Sequence, residues 1–234
     1  MSASKVFLKV NRVAADIVAQ ARDVTVADVH ESMGQQGRTN LMSSRMRPIA
    51  EKQKIAGPAV TAFCWPGDNL MMHRALYLAQ PGDVLVVVCQ AELSGAQWGD
   101  MATRYAVKKG LAGVVVQGCA RDVDQVRELG MPVWSTHISP MHPDKSGHGY
   151  VNTPVVCDGV YVCPGDLIVA DGDGVISVPR ADASRVIAAA RIKMEKEDAS
   201  AEAVRNGAAV WDLSGAAAIY AGMKIEEVDG AFDD

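Results

Sequence analysis

Three charged residues with a fixed spacing are the strongest chemical signal in this sequence. Asp100 is followed, after an interval of twenty residues, by the pair Arg121-Asp122. Carboxylates bind hard divalent cations, and a guanidinium stabilises negative charge that develops on a substrate oxygen. The three residues therefore suit a small anionic substrate held through its oxygens by Mg²⁺ or Mn²⁺. The alternative is that Asp100 caps a helix and Arg121-Asp122 form a charged surface turn.

The elements around these residues predict that they converge. Apolar runs over Asp83–Val88 and Leu111–Gly118 are typical of buried strands, and a helix is expected to begin near Asp100. A strand, helix and strand in this order form a parallel unit whose loops emerge at one edge of the sheet. Ligands of open α/β sheets bind at that edge.

Neighbouring groups extend the predicted site. A helix that begins near Asp100 offers the backbone N–H groups of Met101 and Ala102 to an anion. A small 2-oxo acid fits, because its carboxylate takes the helix N-terminus while its carboxylate and keto oxygens chelate the metal. Asn69 and His73 are candidates to line the same cleft, although the more common role of an Asn in the position of Asn69 is to cap the helix that follows it.

Other reactive side chains are weaker candidates. His137, His142 and His148 lack the helical spacing and the cysteine neighbours of a zinc site, so they are interpreted as loop residues. Cys119 is either an activated thiol beside Arg121 or an inert strand-end cysteine. No dinucleotide, nucleotide or serine-hydrolase motif occurs in the sequence.

Periodicity and turn residues predict the remaining elements. In order they are a helix over 13–22, a short helix capped by Thr25 and Asp28 and ending at Gly34 or Gly37, a strand over 57–64, a helix over 70–78, the central unit, a helical turn over 126–129, a strand over 132–137, a loop over 139–149, a meander of short strands over 155–178, and helices over 181–204 and 213–223.

Composition limits the class of protein. The chain has 234 residues, of which 49% are hydrophobic and 22% charged, as in an ordinary globular protein with one large core. A net charge of -5 without any Lys/Arg-rich run argues against a nucleic-acid partner, and no run approaches a membrane span. Five cysteines without a CxxC pair suit a reducing compartment. Residues 1–5 lack the apolar core of a secretion signal, so we expect a cytoplasmic protein.

The spacing of Asp100 and Arg121-Asp122 resembles the D-x20-R-D signature of the class II pyruvate aldolases that act on 4-hydroxy-4-methyl-2-oxoglutarate and 4-carboxy-4-hydroxy-2-oxoadipate. The similarity extends over most of Val29–Pro179. The other segments that carry it are Val29-His30-Glu31-Ser32-Met33-Gly34, Arg45-Met46-Arg47-Pro48, Gly57-Pro58-Ala59, Pro66-Gly67-Asp68-Asn69-Leu70 and Gly118-Cys119-Ala120-Arg121-Asp122.

The resemblance implies an architecture and an assembly. The fold class would be α/β, a β/β/α swivelling-type domain with a C-terminal helical tail. Residues 1–180 would form the catalytic domain, and residues 181–234 a helical extension that packs on a neighbouring subunit of a trimer or hexamer. The family also uses a divalent metal, Mg²⁺ or Mn²⁺.

The resemblance also implies roles for the residues. Asp122 would bind the metal, Asp100 would hold a water on it, and Arg121 would contact the keto oxygen and stabilise an enolate. The amides of Met101 and Ala102 would hold the substrate carboxylate. An acidic residue of the neighbouring subunit's C-terminal helix would complete the site. Glu197 and Glu195 are the candidates. Because residues two apart on a helix point about 200° apart, only one of them can face the site, and we expect Glu197.

The implied reaction is a retro-aldol cleavage in the degradation of aromatic acids. 4-Carboxy-4-hydroxy-2-oxoadipate would give pyruvate and oxaloacetate, and 4-hydroxy-4-methyl-2-oxoglutarate would give two pyruvates. Decarboxylation of oxaloacetate forms the same enolate and is the expected side activity. No lysine is predicted at the position of a Schiff base. The rival interpretation is a non-enzymatic regulator that binds a ribonuclease, because the regulator of ribonuclease activity A family has the same fold.

Overall fold

The computed structural model describes residues 4–232. Met1–Ala3, Asp233 and Asp234 lie outside the described residues, and Met1–Ala3 belong to the segment expected to lack a secretion signal. The strands are β1 (Lys5–Val6), β2 (Arg47–Pro48), β3 (Ile55–Cys64), β4 (Val84–Cys89), β5 (Ala96–Trp98), β6 (Gly113–Ala120), β7 (Val133–Ile138), β8 (Gly149–Val151), β9 (Val155–Cys157), β10 (Val160–Val162), β11 (Leu167–Ala170) and β12 (Val175–Val178). The helices are α1 (Ala15–Ala21), α2 (Val26–Ser32), α3 (Gln35–Asn40), α4 (Leu70–Leu78), α5 (Asp100–Lys109), α6 (Val123–Glu128), α7 (Ala183–Arg205), α8 (Val210–Leu213) and α9 (Ala216–Ala221).

A mixed sheet organises the fold and positions the candidate site. Its order is β1-β8-β3-β4-β6-β7-β2, with β5 added to β6 and the hairpin β11-β12 added to β3. The neighbours β3, β4, β6 and β7 run parallel to one another. Helix α5 therefore connects parallel strands, and the predicted strand, helix and strand unit is confirmed. The fold class is α/β with a C-terminal helical tail, as predicted.

The continuous apolar character of the central strands follows from burial on both faces of the sheet. In β4, Leu85 and Val87 pack into the cluster that holds α4 and α5, whereas Val84, Val86 and Val88 pack into a cluster on the other face. Successive side chains of a strand point to opposite faces. Because both faces are covered, every position of β4 has to be apolar.

Local chemistry at the N-terminal helices agrees in part with prediction. Thr25 caps α2, since its hydroxyl accepts from the Asp28 amide and the Asp28 carboxylate accepts from the Thr25 amide. Helix α2 ends at Ser32 with Met33 as its C-cap, so the expected end at Gly34 is correct to within two residues and the alternative at Gly37 is wrong. Gly34 has a positive φ of 60° between the helices, and Gly37 lies inside α3.

Two further expectations need correction. The predicted helix over 213–223 consists of two short helices, α8 and α9, with Gly215 between them in the left-handed conformation at a φ of 74°. The predicted meander over 155–178 is two hairpins in different sheets, since β9 pairs with β10 alone while β11 joins β3.

The chain divides into two compact units. The first ends at Arg191 and contains the sheet, and the second begins at Ile192 within α7. In the second unit the rings of Trp211 and Tyr220 meet edge to face, with centroids 5.4 Å apart. The boundary expected between residues 180 and 181 stays a prediction. Between residues 4 and 232, no helix combines the length and the apolar character needed to cross a membrane.

Candidate active site

The three charged residues that stand out in the sequence meet at the carboxyl edge of the parallel strands. Asp100 is the first residue of α5, and Arg121 and Asp122 directly follow β6. The Asp100 amide nitrogen lies 3.4 Å from Oδ2 of Asp122, and the same oxygen lies 3.4 Å from Nε of Arg121. Both carboxylates are partly exposed. The site is therefore open to a small charged ligand.

A pocket of about 280 Å³ lies at this edge. Among the residues expected in the site, its lining includes Asn69, His73, Asp100, Met101, Ala102, Arg121 and Asp122. Glu197 lies in α7 in the second compact unit, where it pairs with Lys193 one turn earlier. Its contribution to a neighbouring subunit's site stays a prediction, as does that of Glu195.

Asp122 has a backbone conformation that few residues adopt. Its φ and ψ are 53° and 39°, in the left-handed region, where Asp is several-fold enriched over most other residues. Its carbonyl accepts from the Val126 amide at 2.9 Å and so starts α6. A strained position held between a strand and a helix is typical of a functional site.

Gly99 allows the close approach of the charged groups, and sequence reasoning missed it. A Cβ at this position would lie 2.8 Å from Oδ2 of Asp122 and 3.2 Å from Cγ of Arg121. The backbone of Gly99 is extended, with a φ of -167°, so the need for glycine comes from space. Any side chain here would occupy the volume of the Asp122 carboxylate.

Strand β5, which the sequence did not predict, fixes the start of α5. Trp98 is buried, and its Nε1 donates to Oγ1 of Thr103 at 2.8 Å. The Thr103 hydroxyl donates in turn to the Gly99 carbonyl at 2.9 Å. The Trp98 carbonyl accepts from the Arg121 amide at 3.0 Å. This chain of bonds holds the helix N-terminus against the end of β6.

The N-terminus of α5 offers unpaired backbone donors to the pocket. Gly99 is the N-cap and has no side chain to bond the first amides of the helix. The first amide of α5 that bonds to a helix carbonyl is that of Thr103, which donates to the Gly99 carbonyl at 3.0 Å. The amides of Met101 and Ala102 come before it and have no carbonyl of the helix to bond. Such amides bind anions, as expected for a substrate carboxylate.

Asn69 is a buried side chain with an unused acceptor. It occupies the N-cap position of α4 without a capping bond, because Oδ1 of Asp68 accepts from the Leu70 amide instead. Asn69 is 6% exposed, and within the described part of the chain its Oδ1 has no hydrogen-bond partner. The capping interpretation of Asn69 is therefore wrong, and its amide is available to a ligand.

His73 follows Asn69 by one helical turn and is half-buried. Burial lowers the pKa of His73, the nearby positive charge of Lys145 lowers it further, and Asp68 opposes them. The imidazole is therefore neutral at pH 7. A neutral imidazole can accept a proton or a hydrogen bond from a substrate hydroxyl.

Lys145 also lines the pocket, although the sequence predicts no lysine at the position of a Schiff base. Its position depends on contacts between distant segments, so no local pattern in the sequence predicts it. Lys145 is exposed. Schiff-base lysines are activated by desolvation in apolar surroundings or by a second cation, and the exposure of Lys145 does not favour that role.

The other candidates have structural roles. Burial raises the pKa of Cys119, and its thiol donates to the Glu92 carbonyl at 3.0 Å, so it is inert. Nδ1 of His137 lies 3.1 Å from the Glu92 carboxylate. Across residues 4–232, no cluster of three or more His, Cys, Asp or Glu side chains is arranged to hold a metal.

The donor set fits the divalent metal that the resemblance implies. Asp100 and Asp122 bring two carboxylates to one pocket, and His73 is the only imidazole that the described residues contribute to its lining. Mg²⁺ and Mn²⁺ prefer oxygen donors, and Mg²⁺ is typically bound through one or two carboxylates while keeping several waters. A structural zinc site would instead need four Cys or His ligands.

Comparison with known proteins gives the family. The RraA-like family described as Aldolase/RraA matches residues 26–177. A relative from Halalkalibacterium halodurans, named "Putative 4-hydroxy-4-methyl-2-oxoglutarate aldolase", is 34% identical over 189 residues, which cover 81% of this chain and 89% of the relative. A Burkholderia mallei protein of the same name is 36% identical over 151 residues, which cover 64% and 91%.

A solved structure shares the fold. The crystal structure of Streptomyces coelicolor RraAS2, described as an unusual member of the RNase ES inhibitor RraA protein family, matches with a TM-score of 0.73 and 33% identity. The match covers 82% of this chain and 99% of that protein. The swivelling-type α/β fold expected from the resemblance is thereby confirmed, and the chain belongs to the RraA-like, or Aldolase/RraA, family.

Proposed function

We propose that this protein is a divalent-metal-dependent, class II aldolase that cleaves 4-hydroxy-2-oxo acids with two or three carboxylates and releases pyruvate. 4-Carboxy-4-hydroxy-2-oxoadipate and 4-hydroxy-4-methyl-2-oxoglutarate are the proposed substrates, in the breakdown of aromatic acids. The observation that carries the proposal is the meeting of Asp100, Arg121 and Asp122 at one pocket beside the N-terminus of α5. The names of relatives support aldolase chemistry at 34% and 36% identity.

The residues suggest how the substrate is held. The amides of Met101 and Ala102 bind the C1 carboxylate, and the guanidinium of Arg121 donates to the C2 oxygen. Asp122 would bind the metal, Mg²⁺ or Mn²⁺, and Asp100 would hold a water on it. When bound, the metal supplies Lewis-acid polarisation of the 2-oxo group.

Bond cleavage needs a base and a stabiliser of negative charge. The proton of the C4 hydroxyl leaves, the C3–C4 bond breaks, and its electron pair moves to the C2 oxygen of the pyruvate enolate. Arg121 stabilises that oxygen, a contribution typically worth 10²–10³ in kcat. Asp100 accepts the hydroxyl proton through a water, and C3 is then protonated to give pyruvate. Oxaloacetate reaches the same enolate by loss of CO₂.

The assembly and location follow from the same proposal. Glu197 of a neighbouring subunit would complete the pocket in a trimer or hexamer. The five cysteines are free thiols, which fits the reducing environment of the cytoplasm.

Coupling pyruvate release to lactate dehydrogenase tests the proposal. The two aldols and oxaloacetate are each supplied with Mg²⁺ and with a chelator. Metal-dependent release from either aldol supports the aldolase, and the ratio of kcat/KM values identifies the preferred substrate. Release from oxaloacetate alone would make the protein a decarboxylase.

The second candidate is a regulator that binds a ribonuclease. It is favoured by the likeness to RraAS2, which belongs to the RNase ES inhibitor RraA protein family. A role as a ribonuclease regulator does not account for the pocket that holds the two carboxylates, Asp100 and Asp122. Inhibition of an RNase E-type ribonuclease by the purified protein, with no pyruvate released from any of the three acids, would decide for this alternative.

A further inference from the structure

The pocket is lined by two groups of residues, and the proposed cleavage uses only one of them. Asp100, Arg121 and Asp122 surround the 2-oxo group. The second group comprises Asn69, in the turn before α4, and Lys145, in the loop between β7 and β8. A substrate with an apolar leaving half would have no use for this second group.

Hydrogen bonds fix the backbone on both sides of Lys145, whose side chain is exposed. The carbonyl of Asp144 accepts from the Asn69 amide at 3.1 Å, and Oδ2 of Asp68 accepts from the Ser146 amide at 2.7 Å. Asp68 is only 3% exposed. The residues on both sides of Lys145 are thus bonded to the turn that carries Asn69. Lys145 and the buried Asn69 line the same pocket.

The ammonium of Lys145 is outside the ion pairs of the described residues. Between residues 4 and 232, no acidic side chain forms an ion pair with its ammonium. The charged side chains of the pocket lining are two cations, Arg121 and Lys145, and two anions, Asp100 and Asp122, which sum to zero. A divalent metal brings the sum for this chain's own residues to +2, and the glutamate proposed from a neighbouring subunit lowers it to +1. The pocket therefore stays positive and favours a substrate with more than one carboxylate.

We propose that Lys145 binds a second carboxylate, on the half of the substrate that leaves, and thereby makes the site specific for 2-oxo diacids. The inference rests on the proposed function, since it assumes that the 2-oxo group lies at Arg121 and Asp122. Asn69 supports the same half of the ligand by accepting from its hydroxyl. Lys145 is a specificity-determining residue in this account and takes no part in bond cleavage.

Calorimetric binding of two unreactive ligands tests the role of Lys145 separately from turnover. 2-Oxoglutarate and 2-oxopentanoate have the same chain length and differ in the C5 carboxylate. With Mg²⁺ present, we expect the wild type to bind 2-oxoglutarate about tenfold more tightly, the scale of one charge-assisted contact. Lys145→Met should bring the ratio of the two Kd values close to one. Lys145→Arg should preserve most of it.

Lys108→Met is the matched control, because Lys108 is an exposed lysine of α5 outside the pocket lining. It removes the same charge from the protein and should leave the ratio unchanged. Equal affinities in the wild type, or an unchanged ratio in Lys145→Met, would overturn the role of Lys145 while the aldolase proposal stands. Failure of both ligands to bind the wild type would overturn both proposals. Trapping of Lys145 by borohydride with pyruvate would replace this role by a Schiff base.

Discussion

The amide nitrogen of Asp100 lies 3.4 Å from Oδ2 of Asp122, although twenty-one residues separate the two in the chain. The contact joins the N-terminus of α5 to the end of β6. It places the carboxylate proposed to bind the metal next to the backbone donors proposed to bind the substrate's carboxylate. One pocket can thus hold both a cation and an anionic substrate.

Asp122 is expected to be indispensable for metal-dependent activity. Asp122→Ala removes the proposed ligand, and Asp122→Asn keeps its shape while removing the charge. Both should abolish Mg²⁺-dependent pyruvate release and weaken Mn²⁺ binding, measured by calorimetry. Asp124→Ala is the control, since Asp124 is an exposed carboxylate two residues away that pairs with Arg127. Normal Mn²⁺ affinity in Asp122→Ala would refute the assignment.

Gly99 should tolerate substitution in folding but not in catalysis. The Cβ of Gly99→Ala would come within 2.8 Å of the Asp122 carboxylate and displace it. Because displacement of a catalytic group by about 1 Å costs up to roughly 10²-fold, we expect kcat/KM to fall by about 10- to 100-fold. Gly172→Ala serves as the comparison, since nothing lies within 4 Å of a Cβ there. Equal activity of the two variants would show that the close approach is unimportant.

Thr103 should stabilise the fold through Trp98. Thr103→Val keeps the shape of the side chain but leaves the buried Nε1 of Trp98 without its acceptor. We expect the free energy of unfolding to fall by about 1–3 kcal/mol, measured by urea denaturation. Thr39→Val, at an exposed threonine of α3, should change it by less than about 0.5 kcal/mol. A loss of similar size in both variants would contradict the role of the buried bond.

His73 should make stability depend on pH below neutrality. Burial lowers its folded-state pKa from the ordinary 6.5, so the unfolded chain takes up the proton first as the pH falls. Stability attributable to neutral His73 is complete above about pH 6.5 and is lost between there and the lower folded-state pKa. His73→Gln removes this loss. The free energy of unfolding of His73→Gln minus that of the wild type, measured by urea denaturation, should therefore be larger at pH 5 than at pH 8. The same value at both pH values would contradict the lowered pKa of His73.

Much of the fold could be predicted from local patterns. Turn residues gave α4 its observed limits, Leu70–Leu78, and apolar runs located β4 and β6 to within a few residues. These elements are specified by periodicity and by Pro, Gly and Asn at their ends. Strand β5 could not be predicted, because its three residues are defined by pairing with β6, a contact between distant segments.

The site divides in the same way. Asp100, Arg121 and Asp122 follow from the geometry of a parallel unit, in which two loops emerge at one edge of the sheet. Lys145 depends instead on bonds from its neighbours to Asp68 and Asn69, nearly eighty residues earlier. Gly99 could be found only from the space around it, which no sequence pattern encodes.

The measurement that tests the central claim most directly is the exchange of pyruvate methyl protons with deuterated water, followed by NMR. Exchange requires the enolate and needs neither a leaving group nor a known physiological substrate. We predict exchange by the wild type that stops with a chelator, returns with Mg²⁺ and falls by about 10²–10³ in Arg121→Ala. Absence of metal-dependent exchange, or a loss below fivefold in Arg121→Ala, would contradict an enolate stabilised at Arg121.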